Sequence, residues 1–494
     1  MPKKPLFLIT FFPIQAFAAL QITPEQVRDI HQAHIKMEID PQINIAKPEQ
    51  KAKSLPELGE PQIQSIQITR EQLAQDFRLT HHLLSRAIYS RHPDLIAKLL
   101  ELYRHFRERD PIMVSFAEGK IAALTENYSK AIDKYREILA QNPDLNPVRI
   151  ELAIALFNQK QNNTAKEQFE KAQTAGDLPP QANALIRAYL DALQERDTWN
   201  IDLSLNYVHD TNVNKMGSGR QVILENGGIL TRSDQIMPQS AHGFAYSLDI
   251  SRDFNLWASH YLTLGNELGG KSYWDNHDYD DLSNHTYIGY VHKTAKQNFR
   301  IKPFYSKHWY GGDSYRWSNG ARIEFSRWLT PNWQISTAGE FAKQRYFGST
   351  AQNGHNKILS ATLLWARTPK QFFYIGNDFM AERTQVRQYG SNSKSLRLGW
   401  RQEWGLSVSS HLSLNIIKRD YKDVAKLGNI NLFSFGKNRE DKIYDINLSL
   451  WKQDWHLLGI TPKIQFSWHK QKSNIPEMYS YTQSNVNMFF EKAF

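Results

Sequence analysis

From Trp199 to Phe494 the chain is written in a period of two, and no other feature limits its possible folds as strongly. Trp199, Ile201, Leu203, Leu205 and Tyr207 alternate with Asn200, Asp202, Ser204 and Asn206. Tyr315, Trp317, Ala321, Ile323 and Phe325 stand against Arg316, Ser318, Gly320, Arg322, Glu324 and Ser326, and Leu396, Leu398 and Trp400 against Arg397, Gly399 and Arg401. Side chains on a strand point alternately to opposite faces, so each segment has one apolar and one polar face. A soluble sandwich shares that pattern, and the spacing of the segments separates the two.

About 14 such segments can be counted, near 199–208, 242–252, 256–269, 284–294, 297–309, 314–328, 332–346, 356–367, 371–386, 393–408, 411–421, 441–451, 455–469 and 483–494. Short links at 253–255, Thr330-Pro331, Pro369-Lys370, Ser409-Ser410 and Gln453-Asp454 alternate with long polar ones at 209–241, 270–283, 347–355, 387–392, 422–440 and 470–482. One link, 310–313, is short on the long-loop side. Short turns at one end and long loops at the other predict an antiparallel outer-membrane β-barrel with an even strand number. An even count returns the C-terminus to the side on which the barrel began, which places the preceding domain and Phe494 together in the periplasm.

The start of the chain fits export. Lys3 and Lys4 precede an apolar run, Leu6 to Phe12, and then Ala16-Phe17-Ala18, the layout of a secretory signal over residues 1–18. The chain has no Cys, hence no disulfide framework and no lipid-anchor cysteine. Mean hydropathy is −0.57, yet there are 13 Trp, 22 Tyr and 25 Phe, a balance that suits a barrel with a polar interior. The formal charge of +10 points, in an exported protein, to anionic lipid phosphates or an acidic partner and away from nucleic acid.

Residues 19–68 read as a tether, because Pro24, Pro41, Pro48, Pro56 and Pro61 interrupt a polar stretch that cannot build a core. Thr69 and Gln72 are spaced as a capping box that opens a helical domain over 69–196. Within it Gly119, Ala131, Tyr135 and Ile138 recur 34 residues later as Ala153, Ala165, Phe169 and Ala172. Small residues let two antiparallel helices approach and the aromatic fills the gap between repeats, so the segment resembles the tetratricopeptide repeat (TPR). Ala97, one period before Ala131, suggests a degenerate first repeat over 78–111, and 181–194 a capping helix. The inner helix face would show Met113, Phe116, Lys120, Ile150, Ile154 and Phe157, a candidate groove for an extended client; the tether or the barrel mouth would cover it equally well.

The last segment places Val486, Met488, Phe490 and Phe494 on one face and ends on an aromatic, as strands recognised by the β-barrel assembly machinery commonly do; Lys492 departs from the pattern. Gly265 to Ser272 matches the phosphate-loop pattern literally but is followed by Tyr273-Trp274-Asp275, with no helical period, so its glycines are read as relieving crowding in a curved strand. Asp275, Asp278, Asp280 and Asp281 match no calcium-loop spacing. No Gly-x-Ser-x-Gly and no His-Glu-x-x-His occurs, so no catalytic, cofactor or metal residue is expected. Pro303 and Pro462 fall inside segments and are expected to mark bulges or weak pairing.

With these features in place the chain resembles the surface lipoprotein assembly modulator (Slam) family over about residues 70–494. The resemblance rests on Leu83-Leu84-Ser85-Arg86-Ala87, Asn319-Gly320-Ala321-Arg322, Arg327-Trp328 with Thr330-Pro331, Leu448-Ser449-Leu450-Trp451 and Gly459-Ile460-Thr461-Pro462. It implies an outer-membrane translocon that moves lipoproteins, and sometimes soluble haem- or iron-acquisition proteins, from periplasm to cell surface, and it brings no catalytic residue. The alternatives are an exopolysaccharide export porin, which also joins such repeats to a barrel, and an outer-membrane hydrolase. About 14 strands would enclose a lumen too narrow for a folded domain but passable to an extended chain. Arg316, Arg322, Arg397 and Arg401 share the expected inner face and would line that path, while a lipid tail would leave through the seam between first and last strands, near Ile201 and Phe490.

Overall fold

A computed structural model describes residues 68–89, 92–174, 178–232, 234, 237–427, 433–455 and 460–493. The signal, nearly all of the tether, and Phe494 lie outside the described residues. The helical part runs α1 (Arg70–Gln75), α2 (Phe77–Ala87), α3 (Pro93–Tyr103), α4 (Pro111–Leu124), α5 (Tyr128–Gln141), α6 (Asn146–Asn158), α7 (Asn162–Thr174) and α8 (Pro180–Arg196). Thr69 and Gln72 form the capping box: Gln72 N–H donates to Thr69 Oγ1 at 3.3 Å and Thr69 N–H to Gln72 Oε1 at 3.0 Å.

The 34-residue repeat is carried by α4–α5 and α6–α7. Ala131, Tyr135, Ile138, Ala153, Ala165, Phe169 and Ala172 are all buried in one continuous core. Gly119 is small by necessity, since a Cβ there would lie 2.5 Å from Tyr135 Cε1. A Gly119→Leu protein should therefore lose about 1–3 kcal/mol of helical-domain stability, read as an earlier melt of the far-UV helical signal with the barrel unaffected. The pair α2–α3 stands where the degenerate repeat was expected, but Ala97 is exposed. Leu99 and Tyr103 fill the buried places instead, because α3 is displaced by two residues from the 34-residue register.

Fourteen strands close the barrel in the order β1-β16-β15-β14-β13-β12-β11-β10-β9-β8-β7-β6-β5-β4. They are β1 (Asn200–Asp210), β4 (Ala241–Trp257), β5 (His260–Tyr273), β6 (Asp281–Lys293), β7 (Gln297–Tyr310), β8 (Asp313–Thr330) and β9 (Trp333–Tyr346). The ring continues through β10 (Gly354–Thr368), β11 (Gln371–Thr384), β12 (Ser391–Glu403), β13 (Val408–Lys426), β14 (Ser434–Lys452), β15 (Thr461–Ser473) and β16 (Tyr481–Ala493). The first long loop contains a small hairpin, β2 (Gln221–Ile223) with β3 (Ile229–Thr231), and a short helix α9 (Pro476–Tyr479) lies between β15 and β16. Leu203, Leu205, Ile323, Leu359, Ile416, Phe466 and Met488 are exposed on the outer face, while Asn206, Ser318, Arg322, Glu340, Ser360 and Arg397 are buried inside.

The one tight link among the long loops is Gly311-Gly312, with φ of 57° and 85°. Two successive left-handed residues make the turn that joins tightly paired strands, and glycine adopts them without strain. Pro303 does not make a bulge. The β6–β7 ladder is interrupted between Tyr287–Phe304 and Tyr290–Ile301 and resumes in the same register, as expected where a residue lacks its N–H. Pro462 is the second residue of β15, where the β14–β15 ladder has already ended at Trp451–Lys463, so its missing donor costs that ladder nothing. The segment Gly265 to Ser272 is extended strand throughout β5 and leads into no long helix.

Candidate functional site: lumen, seam and outer cap

The barrel interior is a web of paired charges. Arg322 donates to Glu340 at 3.2 Å and is also paired with Glu324, which holds Lys302 at 3.0 Å. Arg397 reaches Asp378 through Nε at 2.7 Å and Nη2 at 2.9 Å, and also meets Ser360 and Thr362. Gly376 makes room, since a Cβ there would stand 2.7 Å from Arg397 Nη2. Buried charge is tolerable only when paired and hydrogen-bonded, so each network fixes a section of wall. Arg316 lies 5.8 Å from the Tyr346 ring, and Arg401 5.0 Å from Trp451. All four arginines expected in the lumen face it, and Arg316, Arg322 and Arg397 are buried in these contacts.

A cavity of about 430 Å³ remains toward the long-loop end, lined by Asp210, Asp249, Glu267, Lys271, His308 and Gln483 among others. It adjoins the seam. β1 pairs with β4 along its full length, from Asn200–Ser251 to Asp210–Ala241. Among the described residues it pairs with β16 from Asp202–Ala493 to Asn206–Phe489. Beyond Asn206 side chains take over: Asp210 accepts from Gln483 Nε2 at 3.1 Å and Asn485 Nδ2 at 3.4 Å across the seam, and from Lys271 Nζ at 2.9 Å on its other side. Phe490 faces Leu205, not Ile201, because strand stagger sets the partner.

Above the cavity the long loops form a cap. Val222 and Leu224 from the first loop pack with Ala425 of β13, Leu427 just beyond it and Phe435 of β14, and with Ile475, Met478 and Tyr479. Arg232, 1% exposed, staples it: Nη1 donates to the carbonyls of Gly217 (2.7 Å), Gly219 (2.8 Å) and Glu477 (3.0 Å). Gly217 N–H donates to Met478 O and Gly219 N–H to Glu477 O, so the cap spans the seam from β1's loop to β16's. The acidic run of the second long loop is dispersed in similar duties, with Asp275 on His242, Asp280 on Tyr273 N–H and Asp281 on His308.

At the short-turn end the helical domain docks on the rim. Asn163 donates two hydrogen bonds of 2.8 Å to Asn255, from its backbone N–H to Oδ1 and from Nδ2 to the carbonyl; Ser259 Oγ donates to Gln159 O, and Tyr261 O–H donates to Lys160 O. Glu126 and Lys160, one repeat apart, both have left-handed backbone (φ 58° and 62°), and Glu126 pairs with Lys296 at 3.4 Å. Burial, with Arg196 and Lys293 nearby, pushes the Lys160 ammonium down to about 8. A lysine held below its unfolded value binds fewer protons in the native state, so stability tied to it rises as pH climbs from about 8 toward the unfolded value of 10.5. Protection factors of α6–α7 amides, which correct for the faster intrinsic exchange at high pH, should rise over that window. A Lys160→Gly protein, which keeps the carbonyl and relieves the left-handed strain, should be more protected at pH 7 and lose the pH dependence.

The expected client groove is largely filled. Phe116, Ile150 and Phe157 are buried, Phe116 against Tyr135 (5.8 Å) and Phe157 under Arg196 (3.4 Å) and Tyr189 (4.9 Å). Lys120 pairs with Glu151 at 2.7 Å, and Met113 and Ile154 are half-buried on the core's edge. The repeat period places these residues on one side but does not show that α8 closes over Phe157 or that Tyr135 backs Phe116. Phe490 lies on the lipid-facing side of β16 with Val486 and Met488. Among the described residues no group of three or more His, Cys, Asp or Glu could hold a metal ion.

A closed fourteen-stranded barrel, apolar outside and charged inside, with a TPR-like domain on its short-turn rim, defines a Gram-negative outer-membrane protein whose helical domain is periplasmic. Residues 199–494 match the family described as surface lipoprotein assembly modifier, and residues 66–169 match that family's N-terminal TPR repeats. The chain belongs to the surface lipoprotein assembly modifier family. It is 32% identical to the surface lipoprotein assembly modifier of Pasteurella multocida, covering 87% of this chain and 86% of that protein. It is equally identical to surface lipoprotein assembly modifier 1 of Haemophilus influenzae, covering 92% and 93%. At 22% identity over 80% of this chain and 82% of the other, it is also similar to the hemophilin secretion modulator of Acinetobacter baumannii. Fold and family point to transport rather than catalysis.

Proposed function

We propose that this protein is a translocon that carries surface lipoproteins from the periplasm to the cell surface. The helical domain receives an unfolded client at the barrel rim, the lumen conducts the polypeptide as an extended chain, and folding outside opposes return. The lipid tail follows in the bilayer, leaving through the β1–β16 seam. The observation that carries this reading is the seam itself: backbone pairing stops at Asn206–Phe489, and beyond it side chains hold the wall beside a lumen cavity of about 430 Å³. Every paired strand contributes to closing a barrel, so the least-paired joint is where a wall opens at least cost. The family name supports lipoprotein clients, and the relative named for hemophilin secretion supports extending the clients to secreted proteins.

The test is surface display in a host lacking the protein. Co-expression with a candidate client lipoprotein from the same genome should make that lipoprotein accessible to protease added to intact cells. A lipoprotein that stays protected while reaching the periplasm, with this protein assembled in the outer membrane, contradicts the reading.

A further inference from the structure

Four lysines form one cross-strand row on the outer face of the barrel. Lys394 on β12 is the register partner of Lys418 on β13, Lys418 of Lys442 on β14, and Lys442 of Lys472 on β15. All four are exposed, on the same strand faces as the lipid-facing Leu398, Ile416, Ile446 and Phe466. Adjacent strands lie about 4.8 Å apart, so the row spans roughly 15 Å. Like charges directly opposite one another destabilise a sheet. Compensation from the protein is slight. Among the described residues Lys418 alone of the four has an ion pair, with Asp420 at 3.2 Å, and both groups are largely in solvent. Glu440, the partner of Asp420, is the other acid on this face, and Lys470 adds a fifth cation beside Tyr444.

Position along the barrel identifies what would sit there. The apolar outer band lies on the periplasmic side of the row, and the cap-forming ends of β13 and β14 on the other. The row is therefore level with the headgroups of the outer leaflet. The interior cations Lys302 and Arg322 are balanced by buried carboxylates, whereas these lysines stand on the lipid side with no such wall.

We infer that this row is a binding site for the phosphate groups of an outer-leaflet glycolipid, whose acyl chains pack on the apolar band below. A phosphate monoester carries close to two charges and three acceptor oxygens, enough to bridge lysines on neighbouring strands. The row ends on β15, one strand from the seam, so a lipid held there borders the seam's outer half.

Native mass spectrometry of the full chain in detergent, titrated with diphosphorylated lipid A and with its dephosphorylated form, tests the site. Wild type should bind the phosphorylated lipid in preference. A fourfold Lys→Gln variant (Lys394, Lys418, Lys442, Lys472) should bind it at least about tenfold more weakly, and the fourfold Lys→Arg variant should retain binding. If the fourfold variant does not assemble, Lys418→Gln/Lys442→Gln should still show a fall of several fold. Equal binding by wild type and the Gln variants overturns the site. Equal competition by inorganic pyrophosphate at lipid concentrations overturns the lipid assignment, because the row would then be a general anion site.

Discussion

Oxidation of a Leu205→Cys/Phe490→Cys protein should abolish surface display of a lipidated client, and reduction should restore it. These two residues are direct register partners at the seam and both are exposed on the outer face. Opposed residues of antiparallel strands lie about 4.5–5.5 Å apart at Cα, within the span a disulfide bridges. A second lock, Leu203→Cys/Leu248→Cys, joins β1 to β4 where the ladder is complete. It should leave display intact, which separates closure of the seam from mere rigidity of the barrel. Unchanged display with the seam locked would confine the whole client, lipid included, to the lumen.

Arg232→Ala should open the outer mouth. The guanidinium is buried and bonded to three carbonyls on both sides of the seam. Hydrogen bonds to a charged group are worth about 1.5–3 kcal/mol each, so their joint loss, offset in part by water, should weaken the cap by roughly 3 kcal/mol. That shift raises an open population about a hundredfold. The expected readout is a rise in single-channel conductance and in sensitivity to antibiotics too large for porins. Arg232→Lys should recover part of the closure, because all three carbonyls are served by the one atom Nη1 and an ammonium also carries three donors. Deleting β2–β3 should match Arg232→Ala if the cap is what closes the mouth.

Much of this was legible in the alternation. Every barrel strand lies on a segment with a two-residue beat, and the faces are those the pattern dictates, with Leu203 and Leu205 outside and Arg322 and Arg397 inside. The lengths of β13 and β14 were not legible. Segments 411–421 and 441–451 extend in the structure to Val408–Lys426 and Ser434–Lys452, because strands that rise into solvent are polar on both faces and lose the beat. The cap was hidden for another reason. Val222-Ile223-Leu224 is an apolar run too short to name its partners, and Ile475 and Met478, on which it packs, lie about 250 positions away. The available signal was apolar Ile475 and Met478 in what otherwise reads as a solvated loop. The latch on Asp210 and the pairing of Phe490 with Leu205 depend on strand stagger, which alternation does not encode. In the helical domain the repeat fixed which side chains share a face, but whether Phe157 faces a client or Tyr189 depends on where α8 packs.

In the proposed route the client polypeptide passes through the lumen while its lipid remains in the bilayer. Photo-crosslinking to a client arrested by a folded C-terminal domain tests it most directly. Probes at inward-facing Ser318 and Arg322 should crosslink to the client's polypeptide, and probes at outward-facing Ile323 and Leu359 should not. Crosslinks from the outward positions alone, with the lumen silent, would contradict the account.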